Sequence, residues 1–204
     1  MKVYHQLFVF NNKEKLRRRT RRVRSRSFLK PFLYKLCPSF GGGGITTIDI
    51  DNVGAVPTGT TSHYKYIVVH PGGNAVLYLW NGGINYTTNA DEIGVQVGTG
   101  TNAVAITNYK LQTPILNGST SGKLEHKGTW VCNYTVGASS ASFDIEKIFY
   151  NGSGGSITIN EIGVYQWVFG GNISHCILRD KLSSGVAVGN TEYVKVKYTV
   201  TVSV

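Results

Sequence analysis

Residues 191–203 read TEYVKVKYTVTVS. Val194, Val196, Tyr198, Val200 and Val202 alternate with Tyr193, Lys195, Lys197, Thr199, Thr201 and Ser203, a period of two held over about ten residues. Successive side chains of an extended chain leave opposite faces, so this stretch predicts a strand with one face buried and the other wet. Outward from it, the chain is a succession of short β-type runs. The pattern predicts strands at Ile45 to Ile50, Tyr64 to His70, Ala75 to Trp80, Ile93 to Val97, Ala103 to Leu111, Thr129 to Thr135, Ala141 to Tyr150, Ser156 to Ile159, Glu161 to Phe169 and Ser174 to Arg179. Between them stand Pro71-Gly72-Gly73-Asn74, Asn81-Gly82-Gly83, Asn117-Gly118, Asn151-Gly152-Ser153-Gly154-Gly155 and Gly170-Gly171-Asn172, the residue types that tight turns favour. Of 204 residues, 25 are glycine and only 16% are charged, and no long helical periodicity follows Gly41. The expected fold is an all-β, antiparallel β-sandwich, jelly-roll-like, with a closed barrel as the lesser alternative.

The charge is distributed unevenly. Residues 1 to 40 hold twelve Lys or Arg and one acid, Glu14, whereas the other 164 hold nine basic and ten acidic side chains. Seven arginines fall between Arg17 and Arg26. Like charges packed this densely cannot be buried without a large desolvation cost, so they call for a polyanion, an acidic protein groove or solvent. Candidate binding residues are Lys13, Lys15, Arg17, Arg18, Arg19, Arg21, Arg22, Arg24, Arg26 and Lys30. Arginine's planar fork suits phosphate, and full neutralisation by all ten gives an upper limit of about −9 for the slope of log K against log salt. Residues 2 to 10 alternate loosely, with Val3, Leu7 and Val9 opposed to Phe8 and Phe10; they suit either a strand added to another chain or a mobile terminus. Phe28, Leu29, Phe32, Leu33, Tyr34 and Leu36 form an apolar patch expected to dock on the β domain or on a neighbouring subunit. Gly41 to Gly44 read as a hinge. The expected division is therefore a basic, extended N-terminal arm over residues 1–44 and a β-sandwich domain over 45–204.

Catalytic patterns are thin. His5, His63, His70, His126 and His175 share no short spacing with a nucleophile or a second ligand, and His175 and Cys176, as strand neighbours, face opposite ways. Asp49 with Asp51, Asp91 with Glu92, and Asp144 with Glu146 lack the further oxygen ligands of a calcium motif. Gly98-Thr99-Gly100-Thr101 has no Lys-Ser/Thr after it and reads as a turn rather than a nucleotide cradle. Cys37, Cys132 and Cys176 form no zinc spacing and read as reduced structural thiols, with a Cys132–Cys176 pair left open. Asn-x-Ser/Thr occurs at Asn85, Asn117, Asn133, Asn151 and Asn172, as expected from composition alone. Trp80, Trp130 and Trp167 suit core or interface positions, with sugar stacking as the alternative. The reading is of a protein with no cofactor, no metal site, no membrane span, no secretory leader and no enzymatic activity.

Three segments, in order, resemble a group of small tailed-phage virion proteins. They are Ile93-Gly94 through Gly98-Thr99-Gly100-Thr101 to Leu111-Gln112-Thr113-Pro114-Ile115; Phe149-Tyr150-Asn151 through Thr158-Ile159-Asn160-Glu161-Ile162-Gly163-Val164-Tyr165; and Leu178-Arg179-Asp180 with Leu182-Ser183-Ser184, Val186, Val188 and Tyr198-Thr199-Val200-Thr201-Val202. The resemblance spans about residues 93 to 202 and implies a non-enzymatic virion component of the capsid, head-to-tail junction or tail. The arginine-rich arm departs from the group. Expected partners are other virion proteins, further copies of itself and packaged nucleic acid. The alternatives are a jelly-roll coat protein of a small icosahedral virus with a genome-binding arm, and a carbohydrate-binding module.

Overall fold

The computed structural model describes residues 1–25, 28, 94–168 and 173–204. They form two antiparallel sheets packed face to face, a β-sandwich, with no helix among the described residues. The nine described strands are β1 (Lys2–Phe10), β2 (Leu16–Arg19), β3 (Val23–Ser25), β4 (Gly94–Gly98), β5 (Glu125–Val136), β6 (Ser140–Tyr150), β7 (Ile157–Val168), β8 (Ile173–Val188) and β9 (Tyr193–Ser203). The large sheet runs β2-β1-β9-β6-β5, with β3 also on β1; the small sheet runs β4-β7-β8. The expected strands at 45–50, 64–70 and 75–80 lie outside the described residues.

The alternation read in the last strand sets the core. In β9, Val194, Val196 and Tyr198 are buried, and they pack with Leu7, Ile145 and Phe149 of the same sheet against Val95, Val97, Ile162 and Val164 of the small one. Gly, Asn and Ser between 151 and 156 were expected to turn the chain, and Asn151 supplies the chemistry: its fully buried side chain donates to the carbonyls of Gly155 and Val188 and accepts from Ser153. That burial removes Asn151 as a glycosylation acceptor.

Two expectations are corrected. The first concerns the arm. Residues 2–10 pair with β9 along their whole length, from Lys2 opposite Thr201 to Phe10 opposite Tyr193, and so form an inner strand of the large sheet. Val3, His5, Leu7 and Val9 all point into the sandwich and are buried. The apolar alternation ends at Phe10, before the charge begins at Lys13, so this strand can enter the core without carrying a cation with it. The Gly41 to Gly44 hinge lies outside the described residues.

The second concerns Ala103 to Leu111, which is a loop, not a strand. It lies over the outer face of the small sheet, where Glu161, fully buried, pairs with Arg179 at 2.8 Å. Arg179 also donates to the carbonyls of Asn102 and Ala103 and to Asn108 Oδ1, while Glu161 accepts from the backbone N–H groups of Gly100, Gln112 and Thr113. The loop's polar backbone is thus satisfied by side chains rather than by a neighbouring strand. Leu111 closes the layer against Tyr165 and Cys176, its N–H donating to the Tyr165 hydroxyl at 2.6 Å. Gly98 and Gly100 are needed for the approach: a Cβ on either would sit 2.6 Å or 2.4 Å from Glu161 Oε1.

The expectation of reduced thiols holds for the two described cysteines. Cys132 in β5 and Cys176 in β8 belong to different sheets and are both free thiols. Burial pushes the Cys176 thiol up, and partial burial beside Glu146 and Asp144 does the same for Cys132. Cys37 lies outside the described residues.

Arg179 and Asp180 are adjacent on β8 and serve opposite faces. Asp180 points inward, accepting from Ser25 Oγ at 2.9 Å and from the Tyr198 hydroxyl at 3.1 Å. His5 shares this interior site, its ring centroid 6.0 Å from that of Tyr198, and its Nδ1 has no hydrogen-bond partner among the described residues. Burial holds His5 below its ordinary value of 6.5, outweighing the opposing pull of the Asp180 carboxylate. An unfolded chain therefore takes up a proton that folded His5 refuses. This contribution to stability is complete above pH 6.5 and is lost as pH falls through the lower folded value. Urea unfolding at about pH 7.5 and about pH 5.5 checks it: the native chain loses more stability between them than the His5→Leu variant does. Equal losses in the two proteins would refute the assignment to His5.

Candidate functional site

The basic residues stand where the large sheet ends. The turn after β1 is built on Asn11, whose Oδ1 accepts from the backbone N–H of Lys13 and Lys15, with Glu14 at φ 58. The chain then runs back along β1 as β2, pairing Arg19 with Phe8 and Arg18 with Val9, and continues as β3, pairing Arg24 with Tyr4 and Ser25 with Val3. Thr20 bridges the gap between the two short strands. Its N–H donates to the Leu7 carbonyl, its hydroxyl accepts from Leu7 N, and its carbonyl accepts from Gln6 Nε2. Residues 16–25 are therefore the sheet's outer edge, pinned by backbone bonds.

Lys13 and Lys15 in the turn, and Arg17, Arg18, Arg19, Arg21, Arg22 and Arg24 on this edge, are all exposed. Among the described residues only Arg18 of these eight is in an ion pair, 3.4 Å from Glu192 Oε2, and it also donates to the Ala187 carbonyl. Arg18 thereby ties the large sheet's edge to the end of β8. The other seven keep their charge for solvent or a partner. Charged edge strands also block edge-to-edge pairing with another sheet, a role the same residues fill unaided. Arg26 and Lys30 lie outside the described residues, as do Leu29, Phe32, Leu33, Tyr34 and Leu36. Phe28 is described: it bridges to Leu178 and packs on the chain's own core.

Beside the edge lies the outer face of the large sheet, which the sequence reading did not assemble into a surface. Strand pairing sets Tyr4, Gln6, Phe8 and Phe10 of β1 next to Thr199, Lys197, Lys195 and Tyr193 of β9. Arg22 sits over the Tyr4 ring, 4.4 Å from its centroid, and Lys195 Nζ lies 5.4 Å from that of Phe8. Tyr150 and Tyr193 stack at 4.7 Å. A shallow groove of about 510 Å³ crosses this face between Tyr4, Arg22, Lys197 and Asp144.

The acids here are spoken for. Asp144 accepts from Thr199 Oγ1 at 2.6 Å, from Asn133 Nδ2 at 2.9 Å and from Lys197 at 3.3 Å, and Glu146 pairs with Lys195 at 3.2 Å. Burial opposes ionisation of Asp144, but the bonds from Thr199 and Asn133 and the Lys197 charge outweigh it and hold the carboxyl below its usual range. These two carboxylates brace strands rather than hold a cation. Among the described residues no cluster of three metal-ligating side chains occurs. Asp49, Asp51, Asp91 and Glu92 lie outside them.

The three segments carrying the phage-protein resemblance meet at one place. Gly100 and Gln112-Thr113 from the first surround Glu161 from the second, which pairs with Arg179 from the third. This junction is buried, so these residues build the framework and leave the cationic edge as the exposed chemistry. Comparison with family models, with curated proteins and with solved structures finds no match to the chain.

Proposed function

We propose that this chain is a non-enzymatic structural component of a phage particle, in the capsid, head-to-tail junction or tail, attached through its arginine edge to a negatively charged neighbour. The observation that carries the reading is the edge itself: seven exposed cations without an acidic partner among the described residues, Lys13 and Lys15 in the turn after β1 and five arginines over residues 17–24, where β2 and β3 pair with β1. A pinned strand has no backbone freedom left to lose on contact, so only the side chains must be ordered. The resemblance over residues 93 to 202 supplies the virion setting. A coat protein with a free genome-binding arm needs the N-terminus detached, whereas β1 is paired along its length with β9.

Immunogold labelling of gradient-purified particles, with antibody raised to the chain, tests the setting; labelled particles are expected. A chain carrying Gln at 17, 19, 21, 22 and 24 tests the attachment. It is expected to fold, since these side chains are exposed, and to be depleted from particles. Unlabelled particles would overturn the virion reading, and undiminished incorporation would overturn the role of the edge.

A further inference from the structure

We propose that the outer face of the large sheet, along β1, binds single-stranded nucleic acid, with bases stacking at Tyr4 and Phe8 and phosphates held by Arg19, Arg22 and Arg24. This deepens the attachment reading above and rests on it.

Charge alone does not separate nucleic acid from an acidic protein; the interleaved aromatics do. Arg19 lies opposite Phe8 and Arg24 opposite Tyr4 in the edge pairing, so the strand next to each ring, its backbone roughly 4.8 Å away, carries an arginine at that register position. Arg22 adds a second at Tyr4. A carboxylate-bearing partner gains nothing from the rings, whereas every base has a π-face to lay on a ring or on a guanidinium plane. Arg22, exposed and in no ion pair among the described residues, is able to swing aside from Tyr4 or to present its own plane.

The geometry selects single strands. Tyr4 and Phe8 are four residues apart on β1, roughly 13.6 Å, with Gln6 between them. A base laid face-on against either ring must leave the stack of its neighbours, which pairing in a duplex forbids. Gln6, the polar side chain between the two rings, donates through Nε2 to the Thr20 carbonyl, and the rings accept the face of any base, so binding is sequence-tolerant.

Anisotropy of a labelled oligothymidylate of about twelve nucleotides, titrated with the full chain, is the test, with a duplex of equal length and a polyglutamate peptide as comparisons. The single strand is expected to bind most tightly. Tyr4→Leu weakens it by about 5- to 150-fold, the effect of one lost stacking contact. Arg19→Gln with Arg24→Gln makes the salt slope shallower by about 1.4, two phosphates' worth. Photocrosslinking of a bromouracil oligonucleotide to the unaltered chain, mapped to Tyr4 or Phe8, gives a readout that needs no variant to fold. Equal affinity for the duplex, undiminished binding by Tyr4→Leu, or crosslinks confined to other residues would overturn the proposal. Binding of polyglutamate in place of the oligonucleotide would overturn it too, while leaving particle attachment through the edge intact. Loss of the attachment reading appears separately, as undiminished incorporation of the edge variant into particles.

Discussion

Replacing Arg179 with methionine lowers the unfolding free energy by about 3–5 kcal/mol, because it leaves the Glu161 carboxylate buried without its counter-charge. Both side chains are essentially inaccessible, at 2% and 0% exposure, so water cannot take the guanidinium's place without opening the loop. The same change strips the Asn102 and Ala103 carbonyls of their donor. Removing both charges does not rescue the protein. Glu161 also accepts from Gly100, Gln112 and Thr113, and each orphaned N–H costs about 1–3 kcal/mol. Denaturant unfolding of Arg179→Met, of the Glu161→Leu/Arg179→Met double variant and of the exposed neighbour Lys181→Met as control measures this. The control stays within about 0.5 kcal/mol of the native chain. Hydrogen exchange over residues 99–113 should rise in the single variant. A loss below about 1 kcal/mol would mean that the ion pair does not organise the loop.

Leu7→Ala is the second large effect, at about 2–5 kcal/mol, the range for truncating a fully buried leucine. Leu7 lies opposite Val196 and packs into the cluster shared by both sheets. Arg21→Ala, fourteen positions along and exposed, shifts stability by no more than about 0.5 kcal/mol. Thermal or urea unfolding of the two variants side by side checks the pair. The contrast separates an N-terminus built into the sandwich from one that hangs off it, since a detached arm makes both substitutions silent.

The fold class was legible because strand alternation is a local property. Val194, Val196 and Tyr198 declare one buried face with no reference to the rest of the chain, although the alternation runs on to Val202, which is exposed, and the same reasoning located β5, β6 and β7 to within a few residues. It split β7 in two at Asn160, where the ladder is irregular between Ile159 and Glu161, since a bulge shifts the alternation by one and looks like a turn. It made a strand of Ala103 to Leu111 because a run of Ala, Val and Ile reads as one; what overrides it is Arg179, more than seventy residues on, taking up the carbonyls a partner strand would need. A buried Glu161 and Arg179 in otherwise apolar strands were the available signal, since charges at such positions need a partner.

The cationic stretch was equally plain, being a matter of counting charge. Its disposition was not: periodicity cannot say which strand a terminus joins, and Val3, Leu7 and Val9 fit another chain's sheet as well as their own.

By itself, then, the sequence determined strand faces, turns and the confinement of surplus charge to one end, all consequences of neighbours along the chain. Only the tertiary structure decided that β1 lies between β9 and the arginine edge, so that rings from one strand stand beside cations from the next. Cross-strand register joins residues remote in sequence, and it is set by how the whole core packs rather than by any segment within it.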